Sequence, residues 1–345
     1  MYIRSTGNIS PQSTFGQLLK EPAVYSSNRL TCIEPDYSKI LDPKLIRRMS
    51  HIIKMGVAAA MECLKESGIE NPDAIITGTA YGCLADTESF LTKLVENKEE
   101  LLTPTAFIQS THNTVGAQIA LMLKCHNYNN TFVHRGFSFE NALLDAITLI
   151  QDKEASTVLV GGVDEITNAS HAILSRFGLY KNNPVASSGI LTTRSRGTIA
   201  GEGAAFFLLS DQPSDKDYAE LNAVHTFYKP VSSAEIKKNI LSFLNEQSFS
   251  IDDIDIVIQG RNGDTKNDAV YTMLDHSLFT TKTRVDYKQF CGEYPTSSAF
   301  ALWLAANSLK AGQVPGEASD RRPETILIYN HYQHIHHSLY LLSAC

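Results

Sequence analysis

The stretch RGTIAGEGAAFFLLSD, residues 196–211, places a carboxylate between two glycines and then runs into an apolar string. The string lacks the alternation of a half-exposed strand, so it reads as a strand covered on both faces. Glu202, between Gly201 and Gly203, is costly to bury unless it is paired or hydrogen-bonded, and it is read as structural support. Upstream, STVLVGGVDE (156–165) is a second apolar strand, ending in Gly-Gly. Downstream, the polar run QPSDKDY (212–218) is the natural joint, dividing the chain into 1–211 and 212–345.

The same grammar appears on both sides of that joint. RRMSHIIKMGVAAAMECLKESGI (47–69) has apolar residues at helical spacing and precedes the strand-and-turn DAIITGTAYG (73–82). SAEIKKNILSFLNEQSFS (233–250) is an amphipathic helix preceding IDIVIQGRNGD (254–264). NTVGAQIALMLK (113–124), SFENALLDAITLIQD (138–152) and TSSAFALWLAANSLKAG (296–312) read as helices, TFVHR (131–135) and ETILIYN (324–330) as strands. Strands of this kind alternating with helices predict an α/β class with buried, parallel-type sheets.

Composition narrows the function classes. The 345 residues are 43% hydrophobic and 19% charged, enough for a large core in one unit or two fused ones. The net charge of -7 and the lack of a basic stripe argue against nucleic acid. No apolar run reaches the roughly 18 residues of a membrane span, and MYIRSTGNIS has no signal-peptide character, so a cytoplasmic protein is expected. Six scattered cysteines without CxxC pairs read as free thiols. No P-loop or GxGxxG signature is present, and no organic cofactor is expected.

The order of motifs resembles that of the β-ketoacyl synthases. RGTIAGEGAAFFLLSD is similar to the family's GxxxGEGAGxxxLE segment, and VLVGGVDEIT (158–167) to its Gly-Gly strand end. PTAFIQSTHNTVGAQIA (104–120), NGDTKND (262–268), KQFCGE (288–293) and ILIYNHYQHIHHSLYLL (326–342) fall in order where the remaining motifs belong. The resemblance covers nearly the whole chain and implies a thiolase-like, duplicated five-layer α/β/α/β/α fold, with 1–211 as the half carrying the nucleophile elbow. It further implies Claisen chemistry: a cysteine at a helix N-terminus takes an acyl chain as thioester, two histidines assist decarboxylation of a malonyl thioester, and a lysine orders the site. A helix N-terminus suits the thiolate because its end amides lower the thiol pKa.

Carried over position by position, the reactive groups are missing. The cysteine position, 25 residues before Gly161, is Gly136. Glycine is expected there because a strand-to-helix elbow needs an unusual backbone conformation. The first histidine position is Gly260, where only Asp268 keeps the motif; the second is Glu293, with Lys288 and Gly292 retained. Loss of one such group costs on the order of a thousand- to million-fold in rate. The glycine-rich loop that follows the last strand keeps Asn330 but continues as Gln333, His334, Ile335, His336 and His337. Three readings stand for these histidines: a metal site, a substitute acid or base, or bulk filling a site without chemistry, the last preferred. Ser138 is an alternative hydroxyl nucleophile or a helix cap, and Cys83 and Cys291 are buried small side chains or reactive thiols. His134-Arg135 could hold an anionic group, or Arg135 a salt bridge.

Two functions follow. The first is a chain-length-factor-like partner of an active ketosynthase, as in aryl-polyene, flexirubin or aromatic polyketide pathways, working beside an acyl carrier protein and its acyl thioester, as a heterodimer or a homodimer. It would meet its partner through the 113–135 helix-strand region. The second is an acyltransferase or decarboxylase rebuilt around Ser138, Glu293 and the 331–337 histidines, which requires a nucleophile and base within hydrogen-bond reach.

Overall fold

The structure is a computed structural model describing residues 1–100, 102–316 and 321–345. Ten strands form its main sheet: β1 (Tyr2–Ile9), β2 (Ala74–Gly78), β3 (Tyr128–Phe132), β4 (Thr157–Asp164), β5 (Gly203–Ser210), β6 (Ala219–Tyr228), β7 (Ile256–Gln259), β8 (Thr283–Asp286), β9 (Thr325–Tyr332) and β10 (His336–Ser343). The helices that matter here are α1 (His51–Ser67), α2 (Leu84–Glu96), α3 (Thr114–Leu123), α4 (Ser138–Gln151), α5 (Ser233–Glu246), α6 (Ala269–Ser277) and α7 (Ser298–Ala311).

The spatial order is β8-β7-β9-β10-β6-β1-β5-β4-β2-β3. Read inward from each edge, the first five strands and the last five run in the same internal order, third-second-fourth-fifth-first. The pattern of directions repeats too. In each set the second strand pairs in parallel with the third and fourth, while the fifth is antiparallel to the fourth and the first. The sets join into one sheet where Tyr2 and Ile3 pair with Glu220 and Ala219.

The apolar side chains sort into layers. One core joins α4 and α7 to strands of both sets; a second lies under α1 and α3; a third lies under α5 and α6. The result is a helix-sheet-helix-sheet-helix stack, the thiolase fold. α7 is apolar nearly all round because it touches both sheets, while α5 and α1 keep polar outer faces. Local signals set the ends: the Ser232 side chain accepts from the Glu235 N–H ahead of α5, and Gly68, at φ 75°, closes α1. Among the described residues no helix is long and apolar enough to cross a membrane.

Two sequence expectations change. The strand predicted over 131–135 starts earlier, at Tyr128, and stops at Phe132. It is the outermost strand, so polar residues are tolerated, and the Asn129 side chain donates to the Gly116 carbonyl of α3. The segment read as a strand leading into a histidine-rich loop is a hairpin, β9 and β10 joined by Gln333, His334 and Ile335. Gln333 and His334 adopt φ of 55° and 56°, so the chain reverses tightly, and His336 and His337 lie within β10.

Candidate functional site

The elbow between β3 and α4 is where the resemblance places a nucleophile. Gly136 is buried in a short 3-10 turn, Arg135–Phe137. The strained backbone expected of the glycine belongs to its neighbour: Arg135 has φ 48°, and Gly136 is outside the left-handed region. Space explains the glycine instead. A Cβ at residue 136 would stand 2.6 Å from Tyr332 Cβ and 3.0 Å from Cγ and Cδ1, inside ordinary contact distance. The Tyr332 side chain, at the end of β9, lies where a side chain at 136 would begin, and it is buried.

Gly260, where the resemblance places a histidine, is crowded in the same way. A Cβ at Gly260 would run into Asn330 Oδ1 and lie 2.7 Å from the Tyr271 hydroxyl. Both groups are engaged: Asn330 Oδ1 accepts from the Tyr287 hydroxyl at 3.0 Å, and Tyr271 accepts from the His331 N–H at 3.1 Å.

Glu293, at the third position, is held in a buried ion pair. Lys288 Nζ donates to both of its carboxylate oxygens, at 2.9 and 2.8 Å, and Asn262 Nδ2 donates to Oε2 at 2.5 Å. Asn262 is fixed in turn by Asp268, whose two oxygens accept from the Asn262 and Gly263 N–H groups at 2.9 and 2.8 Å. Burial pushes the Asp268 carboxyl up, against those hydrogen bonds. Lys288 and Glu293 are only 3% and 7% exposed, so each supplies the counter-charge that makes burial of the other tolerable.

The other candidates have structural partners. Ser138 Oγ accepts from the His134 N–H at 2.8 Å and donates to the Arg135 carbonyl at 2.9 Å, stapling the elbow. Glu202 accepts from the Cys32 and Ile166 N–H groups, both at 3.1 Å, and lies 3.0 Å from His51 Nε2. The His51 hydrogen bond is the largest influence lowering its carboxyl, opposing the rise from burial. Burial pushes the Cys83 thiol up to about 12 and the Cys291 thiol well above its usual range, the opposite of an activated nucleophile.

The histidines of the hairpin pack in several directions. His331 Nε2 donates to the Asn267 carbonyl at 3.0 Å and His334 Nε2 to the Lys266 carbonyl at 2.8 Å. His337 Nδ1 pairs with the Tyr329 hydroxyl at 3.0 Å, its ring stacked on Phe227, while His336 stands edge-on to Phe137 at 4.6 Å. Burial pushes both His336 and His337 down to about 4. Among the described residues no three His, Cys, Asp or Glu side chains converge as a metal ion would require.

Beyond Tyr332 lie Tyr81 and Tyr180. These two line a cavity of about 20 Å³ shared with Asp164, Tyr294 and Gly201. That holds about one water, against roughly 300–1,000 Å³ for a small-molecule site. Tyr332 beside Gly136, Tyr271 and Tyr287 around Gly260 and Asn330, and Asn262 on Glu293 were not singled out from sequence. The two apolar and aromatic runs of 326–332 and 335–342, separated by Gln333 and His334, were the available signal for the hairpin that brings Tyr332 in.

Comparison with known proteins agrees with this architecture. Residues 28–240 match the family described as "Beta-ketoacyl synthase, N-terminal domain". The 3-oxoacyl-[acyl-carrier-protein] synthase 2 of Synechocystis sp. is 23% identical over 189 residues, 52% of this chain and 45% of that protein, so the match spans less than half of the relative's length. Among solved structures, the ishigamide ketosynthase/chain length factor superposes with a TM-score of 0.83 at 16% identity, covering 100% of this chain and 98% of that one. A β-ketoacyl synthase from Burkholderia phymatum gives 0.80 at 15% identity, covering 100% and 99%. A type II PKS acyl-carrier protein in complex with its ketosynthase, AntDE:AntF, gives 0.76 at 14%, covering 100% and 99%. These structural likenesses carry the fold, and with more than half of its residues inside the matching family, the chain belongs to the β-ketoacyl synthases.

Proposed function

We propose that this chain is a non-condensing, chain-length-factor-like subunit that works beside an active ketosynthase in fatty-acid- or polyketide-type biosynthesis in the cytoplasm. The observation that carries the reading is the filled elbow: Tyr332 lies where a nucleophile's side chain would start. Glu293 and Lys288 neutralise one another across the position of the second histidine. The division of labour is then between a half spanning 1–211, which supplies the elbow and the outer strand, and a half spanning 212–345, which supplies the groups that close it.

The partner would dock on the outer edge of the first half. Among the described residues β3 ends the sheet with one side unpaired, and Leu121, Tyr128 and Val133 around it are exposed, Leu121 at 71%. An open edge with apolar neighbours is a template for another chain, and a stable complex buries about 1,200–2,000 Å² in total. An acyl carrier protein is the expected third component, by analogy with the carrier-protein complex among the solved relatives. The rebuilt-enzyme alternative gains no support from Ser138, whose hydroxyl is spent within the elbow.

Intact-protein mass spectrometry after incubation with acyl- and malonyl-loaded carrier protein, with and without a candidate ketosynthase, tests the proposal. The expected outcome is no adduct on this chain and acylation of a co-purifying partner. A stable acyl adduct on the lone chain would overturn it.

A further inference from the structure

His51 opens α1 as a single imidazole between two carboxylates. Its Nε2 lies 3.0 Å from Glu202 Oε1, and its Nδ1 lies 2.9 Å from Glu34 Oε1. An ionised carboxylate only accepts hydrogen bonds, and a neutral imidazole has one N–H. Both contacts are therefore satisfied together only when both ring nitrogens carry a proton. The Glu202 hydrogen bond raises the pKa of the ring above its usual value, against the opposing effect of burial. Glu34 and a third carboxylate, Glu165 just after β4, act in the same direction, and among the described residues no lysine or arginine acts on the ring. Asp86, in the first turn of α2, acts on Glu165 in turn. Cys32 and Tyr37 belong to the same cluster, and burial pushes the thiol and the phenol up, so both stay neutral.

The ring ties together parts of the chain that have little else in common. Glu202, only 2% exposed, also accepts from the Cys32 and Ile166 N–H groups, so α1, the turn after β4 and the segment 31–36 meet on one carboxylate. That segment forms no regular element. It runs from Leu30, which pairs with Gly201, to a short 3-10 turn, Tyr37–Lys39. Its ties are the Cys32 N–H on Glu202, the Ile33 N–H on the Ser10 carbonyl at 3.0 Å, and Glu34 on the imidazole. The same segment carries the Cys32 thiol, whose Sγ lies 3.5 Å from both the Ile9 and the Glu202 carbonyl oxygens.

We infer that His51 is a proton-operated clasp: doubly protonated, it holds segment 31–36 against the start of β5, and on giving up one proton it releases the segment and opens the way to the Cys32 thiol. Deprotonation sets a ring lone pair against a carboxylate and leaves Glu202 buried without its counter-charge, and histidine is the cationic side chain that makes this change near neutral pH. The closed arrangement favours the protonated ring. The clasp is therefore at full strength below about pH 6.5, the ordinary imidazole value, and weakens as pH rises through the raised value. Glu202 is held below the usual carboxylate range, so it stays ionised across that window. The clasp uses no residue of the elbow or of β3 and stands apart from the partner reading.

Iodoacetamide labelling of the full chain between about pH 6 and pH 9, with Cys32 read by peptide mapping, tests this. At each pH the rate is divided by that of the urea-unfolded chain, which removes the ionisation of the thiol itself. Protection of Cys32 is expected to fall as pH rises, by up to about tenfold per pH unit. His51→Arg keeps a cation at every pH and should protect Cys32 throughout, whereas His51→Gln should label readily already at the acidic end. Nitrogen-15 NMR of His51 should show both ring nitrogens protonated at the acidic end. Protection independent of pH in the natural chain, the same pH dependence in His51→Arg, or an unprotonated ring nitrogen at the acidic end would overturn the inference. If His51→Gln does not fold, the comparison with His51→Arg decides alone. Intact-protein mass spectrometry with loaded carrier protein reads neither quantity, so failure there and failure here are separate results.

Discussion

A cysteine introduced at residue 136 should not act as a nucleophile. In Gly136→Cys the new Cβ meets Tyr332 Cβ at 2.6 Å, about 1 Å inside normal carbon-carbon contact. Tyr332 cannot swing away to relieve this, because its Cβ is fixed by the backbone of β9, where Tyr332 pairs with His336 of β10. Overpacking of this kind costs about 1–3 kcal/mol. Tyr332→Ala would retain the offending Cβ, so the informative partner substitution is Tyr332→Gly. By itself that change should cost about 3–5 kcal/mol, as large aromatic truncations do. In the double variant the cysteine gains room, and the two effects should be less than additive by about 1–2 kcal/mol. Urea unfolding of the four proteins gives the cycle, and iodoacetamide labelling of residue 136 reports access. Gly136→Cys is expected to be destabilised and unlabelled, and the double variant labelled. If Gly136→Cys is as stable as the natural chain and labels readily, the claim that Tyr332 fills this space fails.

Three further outcomes follow. Breaking the buried pair by Lys288→Met or Glu293→Gln alone should cost about 3–5 kcal/mol in denaturant titrations, with the double variant recovering much of the loss; full-cost additivity would show the pair is not coupled. The His336 and His337 rings are held neutral, pushed from 6.5 to about 4, so the unfolded chain takes up protons first on acidification. Their contribution is therefore complete above about pH 6.5 and is lost as pH falls towards 4, amounting to roughly 3 kcal/mol for the fully buried His337; a flat urea midpoint between pH 7 and 5 would contradict this. Ser138→Ala should cost about 1 kcal/mol of stability through loss of the elbow staple and leave partner acylation unaltered, whereas abolished acyl transfer would assign Ser138 to chemistry.

Much of the architecture is legible in the sequence. Apolar periodicity is local, so α1, α4 and α5 and the strands β2, β4 and β5 could be read from their own residues. Strands β1, β6, β8 and β10 were not read from sequence, and β3 was placed too late, because support for such segments is not local. β3 keeps polar residues as an edge strand held by pairing with β2, and β10 follows a turn built from non-glycine residues in left-handed conformations. The absence of Cys, His and His side chains at residues 136, 260 and 293 was also visible in the sequence.

The sequence by itself determined that residues 136, 260 and 293, where the resemblance places the reactive groups, are Gly, Gly and Glu. Only the tertiary structure decided why glycine stands at Gly136 and which side chain takes the space beside it. Glycine can mark either a backbone conformation or a lack of room, and a string of residues cannot separate the two. Here the unusual backbone belongs to Arg135, and the room is taken by Tyr332, delivered from the other half of the chain. Occupied space depends on residues distant in sequence, whereas conformational preference is local; that is why the loss could be read in one dimension and the filling only in three.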